Sequence, residues 1–447
     1  MMTIEEFGKR LRARETTAER ITQECLERIA AENPTLNAFI RVMVDEALQQ
    51  AHERDRELAA GRDRGPLHGV PISIKDLIDM RGVPTTAASR VREGHVANRD
   101  AAVVAHLREA GAVIVGKTNL HEFAFGTTNE DSAFGPARNP HDTTRSPGGS
   151  SGGSAASVAA GMALATIGTD TGGSIRIPAA ACGIVGLKPT IGEVSTEGVV
   201  PLSRTFDHVG PLTQCVTDAF LVHHALLGDH IALPPAPMPL HGVRVAIPRR
   251  YFCDVLDADV RARFEAAVER LRSAGVHVDD IEIRHADLIS TIYLHISLPD
   301  AAAYHASTLD AMPERYTPNV RVRLEMGRYI LAEDYVRALA GRDALRREVD
   351  AALTQHDALV LPTLPIPAPT IGATTVDVAG RPEAVRAMML RLTQPFNVTG
   401  HPAISIPAGT TASGMPVGVQ LVGCRMQTDL LLRLAHACEP FVTAQSG

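Results

Sequence analysis

Two serines stand behind paired glycines in the stretch 145–190: Ser150 follows Gly148 and Gly149, and Ser174 follows Gly172 and Gly173. Glycine permits positive φ and lets a ligand approach the main chain, so the N–H groups of Thr171, Gly172, Gly173 and Ser174 can converge on one point. Backbone donors aimed in this way make an oxyanion hole, and Ser174 would present its hydroxyl beside it. A serine near its free pKa is a poor nucleophile and needs a base. The stretch has no histidine; the nearest, His141, precedes it on a Pro-rich turn. Lysine is scarce: of the 44 Lys plus Arg only those at 9, 75, 117 and 188 are lysines. Lys75 follows the apolar run 70–74, which reads as the end of a buried strand. Burial disfavours the charged form, so this lysine can be neutral near pH 7 and act as a base, which arginine cannot. The residue types leave a second reading open, a structural Lys75 paired with Asp76 or Asp79.

Other readings of the same residues are weaker. A flexible Gly/Ser linker would not be interrupted by Ile, Val and Pro at core-like positions. Gly149-Ser-Ser-Gly-Gly153 matches the G-x-S-x-G nucleophile elbow with Ser151 at its centre, but residues 141–147 are not the apolar strand an elbow requires. A phosphate loop would need Gly-Lys-Ser/Thr after the glycines. Asp170 and Arg176 read as an ion pair that fixes the loop. Ser151 and Ser154, with Thr169 similarly placed, read as side-chain to backbone ties. A small-residue helix is expected over 154–164.

The stretch resembles the signature region of the amidase signature family of serine hydrolases. The similarity extends from Gly69-Val-Pro-Ile-Ser-Ile-Lys-Asp76 through the central stretch to Phe396-Asn-Val-Thr-Gly-His-Pro-Ala-Ile404 and Pro416-Val-Gly-Val-Gln-Leu-Val-Gly423. It implies Ser174 as nucleophile, Ser150 as a second serine in cis peptide geometry after Gly149, and Lys75 as base, with no metal or organic cofactor. The block from Lys117 to Gly126 also matches, which makes Phe123, Phe125, Gly126 and Thr127, together with Gly149, candidates for substrate contact. The resemblance and the recurring βα segments imply one α/β/α sandwich around a large twisted mixed sheet spanning 1–447. Within it, 1–65 forms a helical N-terminal segment, 66–230 the signature core, and 286–355 a variable helical region near the substrate entrance.

The implied reaction is hydrolysis of small neutral amides, anilides or carbamates, with esterase activity possible by the same acyl transfer. One alternative is the glutamine-hydrolysing subunit of a tRNA-dependent amidotransferase. Against it, Ile191 and Glu193 replace a Tyr and an Arg usual in that subunit, and Leu390 falls where its substrate-binding acid would be. A catalytically silent, partner-dependent scaffold is a further alternative, opposed by the presence of all three catalytic residue types.

Composition fits an ordinary enzyme. The 447 residues are 45% hydrophobic, and a net charge of −7 argues against a nucleic-acid surface. No window approaches the roughly 20 apolar residues of a membrane span, and the N-terminus carries no secretory pattern. The six cysteines form no CxxC pair, which suggests buried thiols in a reducing cytoplasm. The expected assembly is a monomer or homodimer. Helices are expected near 16–33, 43–60, 101–110, 257–274 and 428–438, with Pro34 closing the first, Thr16 and Glu19 as its capping box, and Pro299, Pro313 and Pro318 breaking the helical region 286–355. Strands are expected at 39–42, 70–74, 112–117, 243–247, 276–283, 358–362, 403–407 and 417–422, with a Pro-rich linker at 233–240.

Overall fold

The computed structural model describes residues 2–229 and 236–444; residues 233–235 of the expected linker lie outside that range. The sheet strands are β1 (Phe39–Val42), β2 (Pro71–Lys75), β3 (Val113–Thr118), β4 (Ala165–Asp170), β5 (Val185–Lys188), β6 (His208–Thr213), β7 (Arg244–Pro248), β8 (His277–Ile281) and β9 (Ala358–Pro362). After a separate hairpin, β10 (Thr375–Val378) with β11 (Arg381–Ala384), the sheet is completed by β12 (Ala403–Thr410) and β13 (Pro416–Val422). The order across its eleven strands is β1-β3-β2-β4-β6-β5-β12-β13-β9-β7-β8. The sheet is mixed: β2 runs parallel to β3 and β4, and β7 to β8 and β9, while the central pairs are antiparallel.

Helices cover the sheet, as the short apolar runs require when both faces of a strand are buried. They are α1 (Ile4–Arg12), α2 (Ala18–Leu36), α3 (Val44–Ala59), α4 (Ala102–Glu109), α5 (Gly152–Ala159), α6 (Arg176–Cys182) and α7 (Val216–Leu227) in the first half. The second half adds α8 (Ala258–Ser273), α9 (Ile289–Ala311), α10 (Pro318–Gly327), α11 (Ala332–Leu353), α12 (Val385–Arg391), α13 (Gln394–Thr399) and α14 (Thr428–Thr443). All five residues of β2 are buried. Of its two polar side chains, Lys75 ends the strand, and Ser73 is satisfied by Thr166 at 2.8 Å and Ser157 at 3.1 Å.

Several boundaries differ from the sequence reading. The cap of α2 is Thr17, whose hydroxyl accepts from the Arg20 N–H. Pro34 does not stop that helix, because it removes only one donor from a last turn that Asn37 closes in the left-handed region. Pro299 lies inside α9. An interior proline costs about 3 kcal/mol or more. Ile292, Tyr293, Ile296, Leu298, Ala301 and Ala302, all buried along α9, outweigh it, since each large apolar side chain contributes roughly 1.5–3 kcal/mol. Pro313 and Pro318 do interrupt the region; each opens a new helical segment. The small-residue helix α5 begins at Gly152 and ends at Ala159, because the chain turns at Gly161 and the Leu164 N–H joins the sheet at the Pro71 carbonyl, 3.0 Å. Among the described residues no helix is long and apolar enough to cross a membrane.

Candidate active site

Strands β2 and β4 lie side by side in parallel register, Ile74 opposite Ile167, so their C-terminal ends finish together. Lys75, the last residue of β2, is fully buried, and its Nζ lies 2.8 Å from Ser150 Oγ and 2.8 Å from Thr169 Oγ1. Asp76 faces the other way, as the next residue of an extended chain must; its carboxylate sits 3.1 Å from Lys117 Nζ and accepts from Thr86. The ion-pair reading of Lys75 therefore gives way: among the described residues it has no carboxylate in contact. Burial pushes the Lys75 ammonium down to about 7, against the longer-range pull of Asp170 and Asp207.

Ser150 follows a cis Gly149–Ser150 peptide bond. Gly149 is pressed against the backbone of 127–129; a methyl there would fall 2.8 Å from the Thr128 and Asn129 nitrogens. The turn is tied to its counterpart by the Ser151 N–H, which donates to the Ser174 carbonyl at 3.3 Å. Ser151 Oγ donates to the Thr169 carbonyl at 3.2 Å. Ser154 differs from expectation: its hydroxyl meets that of Thr118 at 2.7 Å, fastening α5 to β3.

Ser174 sits on the turn between β4 and α6. Among the described residues the N–H groups of Thr171, Gly172, Gly173 and Ser174 meet no protein acceptor, whereas those of Ile175 and Arg176 are taken by Asp170 Oδ2 at 3.2 and 3.4 Å. Four successive donors are thus left over at the serine. Gly173 adopts φ +138°, and a methyl on it would fall 2.1 Å from Thr393 Oγ1. That hydroxyl donates to the Gly172 carbonyl at 2.7 Å, which orients the turn from α12 and α13.

Beneath the turn, Arg176 Nε and Asp170 Oδ2 are 3.0 Å apart with both side chains fully buried. Arg176 also reaches Asn397 Oδ1 at 2.7 Å and Gln420 Oε1 at 3.2 Å, and Asn397 donates back to Asp170 at 2.8 Å. Burial opposes ionisation of Asp170, but the Arg176 guanidinium and its hydrogen bonds hold the carboxyl well below the usual range. Asp207 is a second buried acid: it accepts from Thr171 Oγ1 at 2.6 Å and from the Leu202 and Ser203 N–H groups, yet burial pushes it up to about 6. His208, adjacent in sequence, is locked by the Phe206 carbonyl at 2.7 Å and lies 3.2 Å from Lys188, and burial pushes both down. It holds structure and lies outside the Lys75–Ser150 contact.

The expected substrate residues separate. Phe123 packs in the interior against His305 and Tyr316, with centroids at 4.3 and 5.6 Å. Gly126 abuts the His121 ring, and Thr127 backs Gly149. Phe125 is flanked by the guanidinium carbons of Arg323 and Arg386 at 5.8 and 5.9 Å. Two residues that the sequence reading did not assign to the site, Tyr293 and Thr393, bear on the glycines before Ser174. A methyl at Gly172 would fall 2.7 Å from Tyr293 Oη and 3.1 Å from Leu390 Cδ2. Neither sits in a signature block, and no spacing in the sequence joins them to Ser174. Among the described residues, no three His, Cys, Asp or Glu side chains group as metal ligands would.

The sequence profile of the family described as Amidase matches residues 20–432. The chain belongs to the amidase family. Members similar along the whole chain include an amidase of Pseudomonas putida, 40% identical over 99% of this chain and 96% of that protein. Another is a glutamyl-tRNA(Gln) amidotransferase subunit of Geobacter metallireducens, 38% identical over 98% of this chain and 96% of that protein. A crystal structure of an amidase superposes with a TM-score of 0.93 at 38% identity, covering 99% of this chain and all of the other. The eleven-stranded sheet and its helices are therefore the amidase fold, carried at full length.

Proposed function

We propose that this amidase-family chain is a serine amidohydrolase in which Ser174 attacks the substrate carbonyl and Lys75, through Ser150, moves the proton. The observation that carries the reading is the buried Lys75 Nζ, 2.8 Å from Ser150 Oγ and lowered by burial to about 7. A neutral amine at that place can accept a proton, and among the described residues it has no competing carboxylate in contact.

Ser174 Oγ bonds to the carbonyl carbon as its proton passes to Ser150 and the Ser150 proton to Lys75. The oxyanion is met by the free N–H groups of 171–174. The C–N bond then breaks, the proton returning by the same route to the leaving nitrogen, and an ester to Ser174 remains. Water, deprotonated along the same path, releases the acid and restores the serine. Amides and anilides follow this course; in a carbamate the ester C–O bond breaks instead, the proton leaves with the alcohol, and water then releases from the carbamoylated serine a carbamic acid that splits into carbon dioxide and amine.

A second reading is favoured by the relatives themselves: glutamyl-tRNA(Gln) amidotransferase subunits recur among the similar curated proteins, so glutamine hydrolysis in company with a partner protein is to be tested beside stand-alone activity. Against it stands Leu390, an apolar side chain at Gly172 where the ammonium of glutamine would need an acid. A substrate panel on the purified chain decides between them. Nitroaniline or nitrophenol released from an anilide or a carbamate, and lost in Ser174→Ala, supports the stand-alone hydrolase. Glutamine hydrolysis alone, or activity only with a partner present, supports the amidotransferase reading.

A further inference from the structure

Thr169 and Thr171 stand at the end of β4, on either side of Asp170. An extended chain turns alternate side chains to one face, and the partners follow that rule. Thr169 Oγ1 meets Lys75 Nζ at 2.8 Å and Thr171 Oγ1 donates to Asp207 at 2.6 Å, while Asp170 turns away to Arg176 at 3.0 Å. Lys75 and Asp207 are thus held by neighbouring hydroxyls along one side of the strand, on the order of 7–10 Å apart. The sheet gives the same placement: β2 and β6 flank β4, and the pairing of Asp170 with His208 puts Asp207 at the edge where β2 ends.

The two acids that Lys75 feels differ in what already balances them. Asp170 is paired with the Arg176 guanidinium, so the two charges largely cancel at a distance. Asp207 has only uncharged donors in contact: the Thr171 hydroxyl and the N–H groups of Leu202 and Ser203. Among the described residues no cation lies within ion-pair range of it. Lys75 is the positive charge that favours its ionised form, and Asp207 in turn favours the Lys75 ammonium. The other groups on this side do not replace it. From α9, Tyr293 carries a phenol that burial pushes up to about 12 and that also feels Arg386 of α12, and Asp300 is occupied by Ser203 Oγ at 2.6 Å and Tyr335 Oη at 3.1 Å. His208 is turned to Lys188. Phe206 stacks on Tyr293 with centroids 5.6 Å apart, so α9 fixes the 202–207 loop that presents Asp207.

We infer that Asp207 is a positioning residue for the proton shuttle: its charge balances the Lys75 ammonium formed while Ser174 attacks, and its bond to Thr171 sets the first of the four N–H groups at the serine. This rests on the amidohydrolase reading and adds to it an acid that has no hydrogen bond to Ser150 or Ser174. A buried ammonium without any counter-charge is costly, and a carboxylate in contact would hold the proton on Lys75 permanently. One at a distance lets the amine be neutral at rest and still eases its charging during the attack. A carboxylate that only tied down the 202–207 loop would affect the rate without moving the pH at which Lys75 titrates.

The chain has only four lysines, so carbon-13 at the lysine ε position allows Lys75 to be titrated by NMR, its signal being the one lost in Lys75→Met. In Asp207→Asn its midpoint should fall from about 7 by roughly one pH unit, the effect of one charge at this distance inside a protein. The rise of kcat/KM should move to lower pH by the same amount while its plateau drops, because a less basic amine is a weaker acceptor. Asp207→Glu, which keeps the charge, should restore most of the midpoint. Thr171→Val removes the hydroxyl and leaves the charge; it should lower the plateau and leave the midpoint in place. The reciprocal titration does not depend on Asp207→Asn folding: carbon-13 at the aspartate carboxyls should show one midpoint near 6 in wild type rising by a similar amount in Lys75→Met. An unmoved Lys75 midpoint in Asp207→Asn, an equal shift in Thr171→Val, or no aspartate moving in Lys75→Met would overturn the proposal. The titrations need no turnover, so a shifted Lys75 in a chain that hydrolyses no amide would leave the charge coupling standing and sink the amidohydrolase reading alone.

Discussion

Lys75 and Asp76, adjacent in sequence, are turned to opposite sides of β2, so that Lys75 Nζ meets Ser150 at 2.8 Å while Asp76 meets Lys117 at 3.1 Å. The alternation of an extended chain divides a potential ion pair into a lysine that has no counter-ion in contact among the described residues, the proposed base, and a structural lysine with one. Lys75 must be neutral to accept a proton, so kcat/KM should rise with pH through about 7 and then level off. Lys75→Met should lose several orders of magnitude on amides and much less on a 4-nitrophenyl ester, whose leaving group needs no proton. Small and equal losses on both substrates would contradict the proton shuttle.

The same shift bears on stability. Folding lowers the Lys75 pKa from 10.5 to about 7, so between those values the unfolded chain holds more protons and the stability from this group rises with pH. Below about 7 the folded protein carries a buried charge. Urea unfolding of wild type and Lys75→Met, well below and well above pH 7, should show wild type gaining on the variant as pH rises. A constant difference would mean that Lys75 is not shifted.

Arg176 and Asp170 are both fully buried, and removing one partner of such a pair typically costs about 3–5 kcal/mol because the other is left unpaired. Arg176→Met should destabilise the fold by about that amount, and adding Asp170→Asn should recover part of it. A cost under about 1 kcal/mol in urea titration would show that Asn397 and the backbone N–H groups of 175 and 176 sustain Asp170 without the guanidinium.

Gly172 has no room for a side chain, since a methyl would lie 2.7 Å from Tyr293 Oη. Gly172→Ala should displace the N–H groups proposed to meet the oxyanion and lower kcat by about a hundredfold, in the range for loss of one such donor. Tyr293→Phe, which removes the atom in conflict, should restore part of the loss. Full activity in Gly172→Ala would show that the turn is not held by this contact.

The signature blocks make the positions of Lys75, Ser150 and Ser174 legible because each sits at a strand end or glycine turn whose composition is unusual. Short apolar runs likewise mark β3, β7 and β9, which are buried apart from Arg244 at the start of β7. What the sequence hides are contacts made across it. Thr393 reaches Gly172, and Arg386 shares a ring with Arg323, through chain crossings that no periodicity records. The helical bounds around Pro34 and Pro299 depart from the sequence reading for a related reason: local propensity is outweighed by burial of neighbouring side chains. Phe123 and Phe125 are two residues apart and of one type, and only the packing of α9, α10 and α12 distinguishes an interior ring from one under two arginines.

The central claim, that Ser174 carries the acyl group, is open to direct observation. Rapid acid quenching of the purified chain during turnover of a 4-nitrophenyl ester, followed by peptide mass mapping, would locate the intermediate. The predicted result is an acyl adduct on the peptide bearing Ser174, absent in Ser174→Ala and persisting longer in Lys75→Met. An adduct on Ser150 or Ser151, or unimpaired turnover by Ser174→Ala, would contradict it.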